Sequence, residues 1–309
     1  MITSVFKKST PFNFSLAVIL ILFFFFLYQF QDLSWTSSVI SISKKIGILS
    51  FLFASVFITN FISKKNGLSK DSSYTLFFYV SFLLLFPSLL DNFNLVAANL
   101  FIILALRRLI SLQSLKASKE KIFDASLWIF IASLFHFWSI LFIVLVFISI
   151  IFHVSRDYRN WVLPFIALFV VGIIFMVYAT MFQINSIDYI TEKIQANFSI
   201  DYFTNNYQNV VFSIYLTVSL FFIVSMFASL SNRPLLLHNS YKKVISSFFI
   251  GIIIFVISAN KSNDFLIFTF APLAIMATSH IEIAQAKLKQ EIVLVVMILC
   301  SLFGFFAQL

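Results

Sequence analysis

From Ala125 to Phe152 the chain runs for 28 residues with no ionisable side chain except His136. As one straight helix this run would be about 42 Å long at 1.5 Å per residue, against about 30 Å of membrane hydrocarbon. Fitting it as one crossing requires a tilt of about 44°, beyond the usual range of about 0–40°. The alternative is a hairpin that turns at His136 and returns to its own side. Each choice fixes the sidedness of every later loop, so the basic residues discriminate between them.

Loops that stay in the cytoplasm carry an excess of Lys and Arg. With a hairpin, 17 of the 21 Lys and Arg fall on one side, all but Lys44, Lys45, Lys193 and Lys261. With a single tilted helix the division becomes 12 against 9 of the same 21. The hairpin is therefore expected, as two half-span helices, about Phe123–Phe135 and Phe137–Phe152, with His136 at the apex and Asp124 as the N-cap of the first. No Gly or Pro marks the turn. Irregular backbone at membrane depth must be covered by protein or open to a wet cavity.

That membrane reasoning applies because the 309-residue chain is 61% hydrophobic and 11% charged, with a mean hydropathy of +1.01. Soluble domains are about 25% charged. The apolar runs are continuous, which points to helices and excludes a β-barrel of alternating residues. The net charge of +9 records cytoplasmic loops and is no sign of nucleic-acid binding. A lone Cys300 in an apolar run excludes a disulfide framework. The segment after Lys7 and Lys8 lacks a small-residue cleavage site, so it is expected to stay as a span. With 44 Phe and only 5 Gly, close helix contacts are expected to rely on Ser and Ala with aromatic packing between.

Besides the hairpin, nine full spans are expected: Phe14–Phe30, Ile46–Ile62, Tyr74–Leu90, Val96–Leu106, Trp161–Phe182, Val210–Leu230, Val244–Ser258, Phe265–Thr278 and Ile292–Phe306. The expected fold is an all-α polytopic bundle forming one domain over residues 1–309. Its N-terminus is cytoplasmic and its C-terminus periplasmic. The Tyr- and Asn-rich loop Gln183–Asn209 is expected at an interface, and "HIEIAQAKLKQE" as a polar helical connector.

No phosphate-binding glycine loop, zinc helix or nucleophile elbow is present, and no metal or cofactor is expected. The candidate residues are few. His136, the only histidine expected near the outer half of the membrane, would be a general base or a phosphate ligand if it faces a cavity, and structural if it faces helices. Lys44 and Lys45 form the one outer pair of cations, suited either to a lipid phosphate or to snorkelling. Asp91 and Asp264, in short outer loops, could act as a base or metal ligand, or could cap the helices that follow. Asn94 and Asn99 are expected to hydrogen-bond between helices, and Arg107 and Arg108 to set topology.

Two resemblances follow from longer stretches. "FKKSTPFNFSL", "KIFDASLWIFIASLFHFWSILFIVLVFISIIF" with "YRNWVLPFIALFVV", and "FLIFTFAPLAIMA" resemble an uncharacterised family of multi-pass inner-membrane proteins of Bacteroidota. That likeness covers nearly the whole chain and implies architecture and the bacterial inner membrane. Over about 45 residues, an Arg-bearing loop followed by "LFHFWSILFI" is similar to capsule and O-antigen polymerases, whose short hairpin carries a His-x-x-Ser apex, here His136 and Ser139. This second likeness implies membrane glycosyl transfer on polyprenyl-phosphate-linked sugars. The chain departs from it in having no arginine outside, and lysine is a poorer bidentate phosphate clamp. The expected role is envelope glycan or polyprenyl-linked sugar handling, with membrane lipid as partner. The rivals are a non-enzymatic subunit of an envelope assembly complex, with a membrane-protein partner, and a lipid or small-solute transporter.

Overall fold

The computed structural model describes residues 2–183, 185–198, 206–259, 261–284 and 286–309. Thirteen helices are present among them: α1 (Ile2–Phe6), α2 (Pro11–Gln29), α3 (Val39–Lys65), α4 (Tyr74–Leu84), α5 (Phe93–Ile110), α6 (Ser118–Phe135), α7 (Ile143–His153), α8 (Arg159–Met181), α9 (Ser186–Lys193), α10 (Asn206–Leu230), α11 (Leu235–Ile257), α12 (Ile267–Ile283) and α13 (Lys287–Ala307). Eight helical segments are long and apolar enough to cross a membrane. The chain is a multi-pass membrane protein.

The expected third span differs. Pro87 lacks an N–H, and the helix there gives way to a 3-10 turn, Pro87–Asp91, leaving α4 with 11 residues. The combined segment still reaches from one end of the bundle to the other. Ser73 N donates to Phe6 O at 2.8 Å before α2 begins, and Gln29 Nε2, in the last turn of α2, donates to Leu90 O at 3.1 Å. Of the loop expected at an interface, residues 184 and 199–205 lie outside the described residues. The expected connector "HIEIAQAKLKQE" is helical only through Ile283 and again from Lys287.

The long apolar run breaks at His136, whose φ of −140° and ψ of 109° end α6. A 3-10 segment, Phe137–Phe142, leads into α7. Lys119 in the first turn of α6 pairs with Asp157, just past α7, at 3.2 Å, so both arms start and finish at the same end of the bundle. The arms are longer than half-spans. α6 begins at Ser118, and its 18 residues rise about 27 Å. Its polar first turns are tolerated because they find partners: Lys121 Nζ donates to Ser111 O at 2.7 Å, and Asp124 pairs with Arg108 at 2.8 Å. Asp124 is therefore an ion-pair residue inside α6 and no cap. His136 consequently sits at the far end, where its Nε2 lies 3.2 Å from the Oγ of Ser258, the residue that ends α11.

The core is built on α4 and α12, whose side chains are almost all buried. Polar groups there are paired across helices: Asn99 Nδ2 donates to Tyr79 Oη at 2.8 Å, Thr75 meets Thr278 at 3.0 Å, and Tyr215 meets Thr269 at 2.5 Å. Phe82 and Phe86 pack on Tyr215 and Phe270. Three of the five glycines mark close approaches, Gly47 against the Phe93 ring among them. A Cβ on Gly251 would lie 2.7 Å from Thr269 Cγ2, and one on Gly304 2.8 Å from Leu85 Cδ2. Glycine thus shares the role expected of Ser and Ala alone.

Candidate functional site

The two ends of the bundle differ in their charges. Seventeen of the 21 Lys and Arg lie at the end holding the Lys119–Asp157 pair, or within two turns of it, called here the basic end. At the opposite end the loop after α2 folds over the start of α3. Asp32 organises it by accepting from the backbone N–H and the hydroxyl of Ser34, both at 2.8 Å. These bonds, the backbone one first, hold the exposed Asp32 carboxyl below the usual carboxylate range, and Lys45 adds to the effect. Ser38 then caps α3, accepting from Ile40 N at 3.3 Å.

α3 brings Lys44 and Lys45 against the 3-10 turn that carries Asp91. Lys45 Nζ pairs with Asp91, and Gln29 Nε2 approaches the same carboxylate at 3.4 Å. Around these groups lies a cavity of about 320 Å³, lined by Gln29, Asp32, Trp35, Lys44, Lys45 and Asp91 among others. A second hollow of about 400 Å³ shares Lys44, Asp91 and Phe93 with the first and adds Ser88, Asn92 and Asp264. Asp264 is nearly buried and accepts a hydrogen bond from Ser88, which joins the turn after α4 to the turn before α12.

Four of the candidates, Lys44, Lys45, Asp91 and Asp264, therefore meet in one polar basin although 220 residues separate the first from the last. Neither aspartate caps the helix after it: Asn92 caps α5, accepting from Leu95 N at 3.2 Å, and Asp264 lies within the 3-10 turn that follows Ser262. His136 stands apart. Its ring lies 4.9 Å from that of Phe265 and 5.7 Å from that of Phe268, and it lines neither hollow. Asn94 is exposed at the rim of the second hollow and takes no part in the buried bonding of Asn99. Arg107 stacks on Phe61 at 4.9 Å, while Arg108 holds Asp124.

Sequence reasoning passed over Gln29, Asp32, Trp35 and Ser88. The available signal was "QDLSW", which places an acid and an indole where the first span emerges. Chemically, the basin offers carboxylate acceptors, an indole and ammonium donors within one concavity. Among the described residues no group of three or more His, Cys, Asp or Glu is arranged to hold a metal ion.

No curated protein and no solved structure matches the chain. A family model does so from its first residue to its last, and on that match over residues 1–309 the chain belongs to DUF6427, a family of unknown function.

Proposed function

We propose that this chain is a bacterial inner-membrane protein, with its basic end in the cytoplasm, that binds the head of a polyprenyl-phosphate-linked sugar in the outer basin. The observation that carries this reading is the convergence of Asp32, Asp91, Lys44, Lys45 and Trp35 on one cavity at the level where α2 and α3 leave the apolar zone. Sugar hydroxyls need acceptors, which the carboxylates supply as charge-assisted hydrogen bonds. The apolar face of a sugar ring suits an indole. A phosphate needs a cation, and Lys44 carries no ion pair among the described residues, whereas Lys45 is held by Asp91. The basin thus fits a glycosylated phosphate better than a bare one, because a doubly charged anion would have to compete with three carboxylates. Binding is what these groups support. His136, the residue type best suited to proton transfer, is engaged with Ser258 and two phenyl rings.

Two measurements test the reading. Mass spectrometry of lipids co-purified from bacterial membranes should find polyprenyl-linked saccharide with the wild type. An Asp32→Asn, Lys44→Gln double variant should retain it about a hundredfold less or worse, since each lost charged hydrogen bond contributes about 1.5–3 kcal/mol. Equal retention overturns the site. A stoichiometric membrane-protein partner with no such lipid would favour the complex-subunit alternative. For orientation, a phosphatase fused at Asn160 should be inactive and one at Leu309 active; activity at Asn160 overturns the assignment of the basic end to the cytoplasm.

A further inference from the structure

A second concavity lies at the basic end, on the outer face of the bundle, and its chemistry is the reverse of the basin's. α2 and α13 both pack on α4, and between them runs a groove of about 460 Å³ whose walls include Phe12, Ala17 and Phe24 of α2, Val80 of α4, and Ser301 and Leu302 of α13. Its surface is almost wholly apolar. Along α2 it extends from Phe12 to Phe24, about 18 Å of rise. There it stops, because Phe24 meets Phe305 edge to face at 4.8 Å and closes the gap between α2 and α13. Half of a 30 Å hydrocarbon core is about 15 Å. A groove about 18 Å long and closed at its inner end is too short for a transmembrane helix of a partner but matches an acyl chain entering from the basic end.

The mouth of the groove is fixed and charged. Val5 and Phe6 line it, and Lys7 and Lys8 follow them directly, both exposed. Asn13 Nδ2 donates to Val5 O at 2.9 Å and to Lys8 O at 2.8 Å, and Ser73 N donates to Phe6 O at 2.8 Å, so the backbone carrying the two lysines is tied to α2 and α4. The first turn of α13 adds Lys287 and Lys289 at the same end. Three nearby carboxylates are each held in place: Glu291 accepts from Thr3, Glu282 from Lys70 N and Ser72 Oγ, and Asp71 pairs with Lys64. We infer that this groove is a binding site for an anionic phospholipid of the leaflet at the basic end, with one acyl chain between α2 and α13 and its phosphate at the Lys7–Lys8 turn. The inference is independent of the basin and of any sugar ligand.

The test uses the full-length protein in nanodiscs of phosphatidylethanolamine with a minor share of phosphatidylglycerol, followed by delipidation and native mass spectrometry. The wild type should keep one phosphatidylglycerol per chain in preference to phosphatidylethanolamine. Lys7→Gln with Lys8→Gln should still bind lipid but lose the headgroup preference by on the order of tenfold, as expected for two juxtamembrane cations. Ser301→Phe and, separately, Ala17→Leu fill the groove and should abolish retention of either lipid; thermal unfolding of each variant identifies any that fails to fold, and the folded one decides. Retention unchanged by a folded filled variant overturns the site. Equal retention of both lipids by the wild type overturns its anionic character, and a protein chain recovered in place of lipid overturns the occupant.

Discussion

The two ends of this bundle handle charge in opposite ways. At the basic end the inward-facing cations are consumed by the fold, while exposed ones such as Lys7 and Lys8 stay at the surface. Lys243, fully buried on α11, donates to Leu109 O at 2.5 Å and contacts His153 Nε2 at 3.1 Å. Arg233 donates to Ser279 O at 3.0 Å, and Lys121 to Ser111 O. Leu109 lies in the last turn of α5 and Ser111 just beyond it, where backbone acceptors lack helical partners and the helix dipole is negative, while Ser279 lies one turn inside the end of α12. At the opposite end, lysines and aspartates gather around open space instead. Charge that completes a helix terminus is structural; charge collected around a cavity is available to a ligand.

The sharpest way to break that contrast is Lys243→Met. Methionine keeps most of the volume but leaves Leu109 O without its donor beside a fully buried side chain and takes one contact from His153, which lies on the wall of a hollow. The expected loss is about 2–4 kcal/mol, read as a clear fall in thermal midpoint in detergent, since each unsatisfied buried group costs about 1–3 kcal/mol. Lys44→Gln, at the other end, should leave the midpoint within about 0.5 kcal/mol of wild type. Similar losses in the two variants would mean that both ends are structural.

His136 gives a smaller test, at the apex of the hairpin. Replacing it with Ala removes the bond to Ser258 and two ring contacts, and about 1–3 kcal/mol of stability should go with them. Lipid-linked sugar retention should persist in the fraction that stays folded. Unchanged stability with lost retention would move His136 into the site. This residue also shows what the sequence made legible. The length of Ala125–Phe152 and the skewed lysines and arginines pointed to a turn at His136, because thickness and charge asymmetry are global constraints. The helix start was misplaced by five residues because Lys119, Lys121 and Asp124 resemble a loop until Ser111 and Arg108 are seen to meet them. Pro87 gave notice of the break in the third span, but the segment's hydropathy masked it.

The basin was legible only in pieces. Lys44, Lys45, Asp91 and Asp264 stood out as rare charges in apolar surroundings, yet their meeting depends on α3 packing beside two 3-10 turns, which no local pattern encodes. Asp32 was missed for a different reason. It lies in a short polar connection where an aspartate is ordinary, and only its place on the cavity wall distinguishes it.

Asp32 therefore carries the smallest effect and the finest test of the contrast. Its folded-state pKa is depressed, chiefly by the Ser34 backbone N–H. Whatever stability its ionised form adds is thus fully present above the unfolded value of about 3.9 and is lost as pH falls through the lower folded value. The thermal midpoints of wild type and Asp32→Asn should differ by a small, constant amount from pH 8 to pH 5, and converge only below about pH 3.9. Sugar retention that depends on this carboxylate should be equally flat over pH 5–8. A midpoint difference that already narrows between pH 7 and pH 5 would show Asp32 protonating in the mildly acidic range. Its hydrogen bonds to Ser34 would then be weaker than the turn requires, and the cavity wall on that side would be loose rather than set in advance of a ligand.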